Sequence, residues 1–188
     1  MPARRAAGAG DPTETGTAAE WYMSQTVKGA RAMLNRFLPA KAGNEYRGYK
    51  IGLWIFGFII LWKLAIALGC IFNGYGAANN ADGIPLQTFG ATGAHALVTE
   101  YAVWGVGQVA LLTIAIVVLI RYRSLVPFLF AVVLFEHIAR RAAYTVLPLP
   151  HVSGAAGGTI NIVMLAVMIA GLACTVLTRR NAQPAVPA

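Results

Sequence analysis

Charge is what this chain has least of. Asp, Glu, Lys and Arg make up 12% of its 188 residues, against about 25% in a soluble domain. The deficit sits in long apolar runs, and the mean hydropathy is +0.61. That excludes an ordinary soluble domain and reads as an integral membrane protein. Cysteine is also scarce: two residues cannot make a disulfide scaffold. A Gly-rich phosphate loop, a nucleophile elbow and a CxxC pair are all missing, so nothing here points to nucleotide-driven, serine-hydrolase or thioredoxin-like chemistry. No apolar run follows Arg4 and Arg5 until Ile51. The expectation is therefore neither a cleavable signal peptide nor a twin-arginine signal, with the first membrane helix acting as an uncleaved insertion signal.

The apolar runs that are present divide the chain. Residues 1–16 are small and polar with Pro and Gly, and are expected to form a disordered tail. Residues 17–40 read as an amphipathic helix. Thr17-Ala18-Ala19-Glu20 fits a capping box. Met23, Val27, Ala30 and Leu34 then recur at helical spacing, Lys28, Arg31 and Arg36 lie mostly off that stripe, and Pro39 ends the run. Such a helix lies along the cytoplasmic lipid surface, with its bases at residues 17–38 meeting anionic headgroups. A helix packed on a partner protein or on the bundle is the alternative. Four spans follow, at residues 51–72, 96–120, 125–147 and 158–178, each long enough for ~30 Å of hydrocarbon. Residues 179–188 are a short tail. The expected fold is all-α: a four-helix membrane bundle with an N-terminal surface helix.

Lys and Arg set the orientation. Eight precede Ile51, two lie in the 121–124 turn and two follow the last span, which is twelve of the 15; the loops at 73–95 and 148–157 carry none. All twelve fall on one side if both termini are cytoplasmic, in the cell's inner (plasma) membrane. The net charge of +8 is thereby explained without nucleic acid. Cys70 and Cys174 belong to opposite ends of their spans, too far apart for a bond, and are expected to be free thiols.

The other three bases, Lys63, Arg140 and Arg141, lie within spans, as do Glu100, Glu136 and His137. A charge at a helix centre costs about 2.5–3.5 kcal/mol on insertion, so pairing is expected. Lys63 and Glu136 stand at the same depth and should touch; Glu100 should meet Arg140 or Arg141. Glu136/Arg140 and His137/Arg141 are i, i+4 pairs, which puts this polar surface toward the bundle interior or a water-filled cavity. Tyr101, Tyr144 and Asn161 can extend the network, and Gly105 and Gly107 should let helices approach closely. Ala166 and Ala170 mark a close-packing face on the last span, for the bundle core or, as the alternative, for a homodimer.

The functional expectation is a polar pocket in the outer half of the bundle. Its candidate residues for ligand binding or proton relay are Lys63, Glu100, Glu136, His137, Arg140, Arg141 and Tyr144. Excess positive charge suits an anionic or oxygen-rich small ligand, a lipid headgroup or a quinone-like molecule, held by an accessory subunit. A proton-coupled carrier or membrane enzyme using Glu136 and His137 is a second reading. Charges that only lock helix register, in a structural subunit with a membrane-protein partner, are a third. His95, Glu100, His137 and His151 show no ligand spacing on one helix, so no metal is expected, and no cofactor is identified.

Four spans with both ends inside, the Gly83-Ile84-Pro85 step in the first outer loop and Glu100 opening the second span resemble the DoxX-like small four-helix membrane proteins. The likeness covers residues 51–178. It implies a membrane subunit or anchor in redox or oxidative-stress chemistry, next to quinone. The Glu136-His137-Arg140-Arg141 cluster lies outside that pattern.

Overall fold

The structure, a computed structural model, describes residues 18–39, 41–152 and 156–177. The expected tail at 1–16, the Thr17 cap, Thr178 and the tail at 179–188 lie outside the described residues. Two compact units, residues 1–35 and 36–188, are each taken by themselves.

The described part of the first unit lies in helix α1, Ala18–Phe37, whose last two residues belong to the second unit. Met23, Val27 and Leu34 are exposed, as are Lys28 and Arg31. By the 3.6-residue period Met23, Val27 and Leu34 share one stripe, Lys28 lies well off it and Arg31 borders it.

The second unit is all-helical. Its long helices are α2 (Lys50–Phe72), α4 (Gly90–Arg121), α5 (Val126–Val146) and α6 (Ala156–Val176). Between α2 and α4 runs a single helical turn, α3 (Gly74–Gly76), then a π-helical turn over Ala77–Ala81 and a 3₁₀ turn over Leu86–Phe89. The Gly- and Asn-rich stretch expected as an open loop at 73–95 is therefore mostly helical, and α4 starts six residues before the expected span. Asn73 caps the first turn by accepting from the Gly76 N–H at 3.1 Å. Gly83, at φ +69°, turns the chain where a side chain would be strained. Ile84 then drops into a small core with Cys70, Ala78, Leu86 and Tyr101.

Each long helix buries one stripe. On α2 it is Gly52, Phe56, Ile59, Ile60, Lys63, Ala67 and Cys70; on α4 it is Tyr101, Gly105, Gln108, Leu112, Ala115 and Val118. Both run at three- and four-residue steps, and Lys63 and Gln108 stand in phase with the apolar members. The main core joins Phe56, Ile59 and Ile60 to Leu112, Ala115, Phe130, Val133 and Met168. These sit on one side of Lys63 along the helices, toward the end where α2 and α5 begin and α4 and α6 end. Backbone ties define that end: Tyr49 N–H donates to Cys174 O at 3.1 Å, Ser124 N–H to Gly43 O at 3.1 Å, and Gly43 N–H to Ser124 Oγ at 3.0 Å. At the opposite end Val152 N–H donates to Gly83 O at 2.8 Å.

Glycine allows the closest approaches. A Cβ on Gly105 would lie 2.7 Å from Ala67 O, and one on Gly171 would lie 2.6 Å from Ile55 and 2.7 Å from Phe130. Gly48 rests against the Thr175 carbonyl. Gly107, expected to help helices approach, has nothing within 4 Å of a Cβ; it lies two residues from Gly105, on another side of α4. Ala166 and Ala170 are exposed, so they do not pack in the bundle core; within the chain α6 packs through Met164, Met168, Gly171 and Thr175. Cys70 and Cys174 are free, as expected.

Among the described residues three stretches are long and apolar enough to cross a membrane: Lys50–Phe72, Leu86–Arg121 and Ala156–Val176. Helix α5 is long enough, but any membrane-thick segment of it contains Glu136, Arg140 and Arg141.

Candidate functional site

The charged groups of α5 gather where the apolar core stops. Lys63, on the buried stripe of α2, has a side chain only 7% exposed, and its Nζ lies 2.6 Å from Glu136 Oε2. The contact expected from equal depth is present. Arg140, one turn along α5, holds its Nε 3.5 Å from Glu136 Oε1. One carboxylate therefore bridges two cations. The Arg140 guanidinium also stacks on α4, with its Cζ 4.8 Å from the Trp104 ring centroid, an attraction strengthened by exclusion of water.

His137 is buried, and its Nε2 lies 3.2 Å from the Asn161 carbonyl. A carbonyl only accepts, so Nε2 carries the proton and Nδ1 of a neutral ring is left as an acceptor. Further along, Tyr101 Oη donates to Asp82 Oδ2 at 2.6 Å. Gln108 is 5% exposed, and its Oε1 has no hydrogen-bond partner among the described residues.

Two cavities meet here. The smaller, about 20 Å³, is lined by Lys63, His137, Arg140 and Asn161 together with Trp62, Trp104, Met164 and other apolar groups. It has room for one water. The larger is an open cleft of about 470 Å³ with Arg140, Arg141, Tyr144, Asn161, Asp82 and His151 among its lining residues. Arg140 and Asn161 belong to both. Neither Arg140 nor Arg141 donates a hydrogen bond to another described residue, and Arg141 has no ion pair among them.

Among the sequence-derived candidates, Lys63, Glu136, His137 and Arg140 are thus brought together, and Arg141 and Tyr144 join Arg140 on the cleft. Glu100 is not. It is exposed, and no ion pair joins it to Arg140 or Arg141 among the described residues. The reason is helical phase: Tyr101 occupies the inward position of α4, and its neighbour Glu100 is turned about 100° away. Trp104, Trp62 and Asp82 join the site from outside the sequence-derived set. The signal for Trp104 is its place one turn from Tyr101 on the inward side of α4. Asp82 comes from a segment whose π turn the sequence does not announce. Among the described residues no group of three or more His, Cys, Asp or Glu side chains is placed to hold a metal ion.

The arrangement can neutralise a buried carboxylate, hold a water beside Lys63 and His137, and present two guanidinium groups to a cleft. Comparison of the chain with protein-family models, with curated proteins and with solved structures finds no match.

Proposed function

We propose that α2, α4, α5 and α6 form a four-helix bundle in the inner membrane, with both termini cytoplasmic, and that the cleft at the outer end binds an anionic or oxygen-rich small ligand, a lipid headgroup or a quinone-like molecule, in an accessory-subunit role. Three apolar helices support insertion. The Lys63–Glu136–Arg140 contacts support the fourth, because ions that neutralise one another escape much of the cost of leaving water. The twelve Lys and Arg residues on one side support the orientation. On the same reading the bases and apolar stripe of α1 rest on anionic headgroups of the cytoplasmic leaflet. The resemblance to DoxX-like proteins belongs to this proposal, carried by Gly83, Ile84, Pro85 and Glu100.

One observation carries the ligand: two guanidinium groups line a cleft of about 470 Å³ and have no hydrogen-bond partner among the described residues. Lys63, Arg140 and Arg141 against Glu136 and Asp82 leave one positive charge in excess around the site. An oxygen-rich anion supplies both the charge and the acceptors.

Access favours binding over transport. Beyond Lys63 the fully buried Phe56, Ile59, Ile60, Leu112, Phe130 and Met168 fill the described bundle with apolar groups toward the other end. The second reading, an acid–base role for Glu136 and His137 in a carrier or enzyme, is favoured by the one-water cavity at Lys63 and His137. The test is mild extraction followed by mass spectrometry of co-purifying small molecules, for the wild-type protein and for Arg141→Gln. An anion or quinone retained by the wild type and lost from the variant is expected. Equal retention by both, or none by either, overturns the proposal.

A further inference from the structure

The cleft has two chemically different walls. Arg140, Arg141, Tyr144, Thr159 and Asn161 offer donors; Ile84, Pro148, Leu149, Val152 and Ile162 offer hydrocarbon. A small, wholly polar anion would satisfy the guanidinium groups but leave the apolar wall against water. A neutral hydrocarbon would leave the guanidinium groups without acceptors. Asp82 also lines the cleft, but its carboxylate already accepts from Tyr101, so it repels an anion less than a bare carboxylate would. The volume of about 470 Å³ falls within the range of sites for drug-sized ligands.

We infer that the ligand is an amphiphilic acid, with a carboxylate or phosphate head on Arg140 and Arg141 and a hydrocarbon body on Ile84, Leu149, Val152 and Ile162. This rests on the anion-binding reading above and narrows it. The acid can come from the bilayer, as a single-chain lipid, or from water, as a small aromatic or aliphatic acid; the head and body chemistry is common to both.

Trp104 supplies the readout, because the Arg140 guanidinium lies 4.8 Å from its ring and any acid that draws on Arg140 changes its surroundings. The experiment uses the full chain in phosphatidylcholine nanodiscs, with Trp21 and Trp54 replaced by Phe, so that emission comes from Trp62 and Trp104 at the site. The probes are decanoate, decanol and inorganic phosphate. Decanoate is expected to shift this emission saturably; decanol and phosphate are each expected to bind at least about tenfold more weakly, since each lacks one half of the match. Arg141→Gln, which breaks no ion pair, is expected to weaken decanoate about tenfold or more, and Leu149→Asn to weaken decanoate while leaving phosphate unchanged. Phosphate binding as tightly as decanoate would overturn the amphiphile and leave anion binding standing. Decanol matching decanoate, or no response to any probe, would overturn both. Oleate placed in the nanodisc and benzoate added in water then tell the bilayer source from the aqueous one; saturation by either supports the inference, and by neither sinks it.

Discussion

Replacing Glu136 by Gln removes one negative charge and little else, since the amide oxygen can still accept from Lys63. The geometry makes this far more damaging than removing Lys63. At 2.6 Å two unit charges attract by about 6 kcal/mol at an effective dielectric of ~20, and at 3.5 Å by about 5 kcal/mol. In Lys63→Met the carboxylate keeps Arg140, and the attraction lost is largely offset because a lysine charge no longer has to leave water, so the expected cost is about 1–2 kcal/mol. In Glu136→Gln both Lys63 and Arg140 lose the acid that pairs with them among the described residues, and two cations are left facing each other. Stranding a buried charge costs about 3–5 kcal/mol. Adding Lys63→Met to Glu136→Gln removes one stranded cation and should recover about 2 kcal/mol or more of that loss. The assay is unfolding of purified protein in mixed micelles, followed by far-UV circular dichroism for wild type, both single variants and the double variant. The reasoning fails if Lys63→Met is as costly as Glu136→Gln, or if the double variant loses the sum of the two.

The remaining expectations concern packing, the Tyr101 tie and alkaline pH. Gly105→Ala should cost about 1–3 kcal/mol by driving a methyl group into the Ala67 carbonyl, whereas Gly107→Ala, with open space around it, should be neutral or stabilise α4 by about 0.5–1 kcal/mol; the same unfolding assay separates them. Tyr101→Phe removes the donor to Asp82 while keeping the ring, and should cost about 1–2 kcal/mol in the same assay. Burial, and to a lesser degree Cys174, push the Tyr46 hydroxyl up to about 12 from an ordinary 10.0. The folded protein holds that proton more tightly than the unfolded chain, so this contribution is complete below pH 10 and is lost as pH rises toward about 12. Phenolate absorbance of the wild type should show a tyrosine step delayed toward about pH 12, and Tyr46→Phe should remove that step.

Depth along the helices is legible from residue numbers alone, because rise per residue is fixed. Equal depth is therefore enough to pair Lys63 with Glu136. Rotation is legible only where the pattern is strong. The stripe on α2 is regular enough to put Lys63 inward, but depth does not say which of Glu100 and Tyr101 faces the neighbouring helices. Gly105 and Gly107 show the same limit: both are small, and phase alone decides which one touches α2. The segment between α2 and α4 is the least legible. Its Asn and Gly residues signal a loop, yet a cap at Asn73 and a turn at Gly83 fold it into short helices that bring Asp82 to Tyr101.

Helix α4 has 32 residues, while α2, α5 and α6 have 23, 21 and 21. At ~1.5 Å per residue that is about 48 Å, against ~30 Å of hydrocarbon. Inserted upright, it overhangs its neighbours by several turns, and its first turns, with His95 and Glu100, stand among the phosphates rather than the acyl chains. Longer lipids would draw this overhang under, or tilt the helix to keep it out. Tilting would move Trp104 relative to Arg140 and change the width of the cleft beside it. Bilayer thickness would then act on ligand affinity, and the protein would hold its ligand differently in membranes of different acyl length.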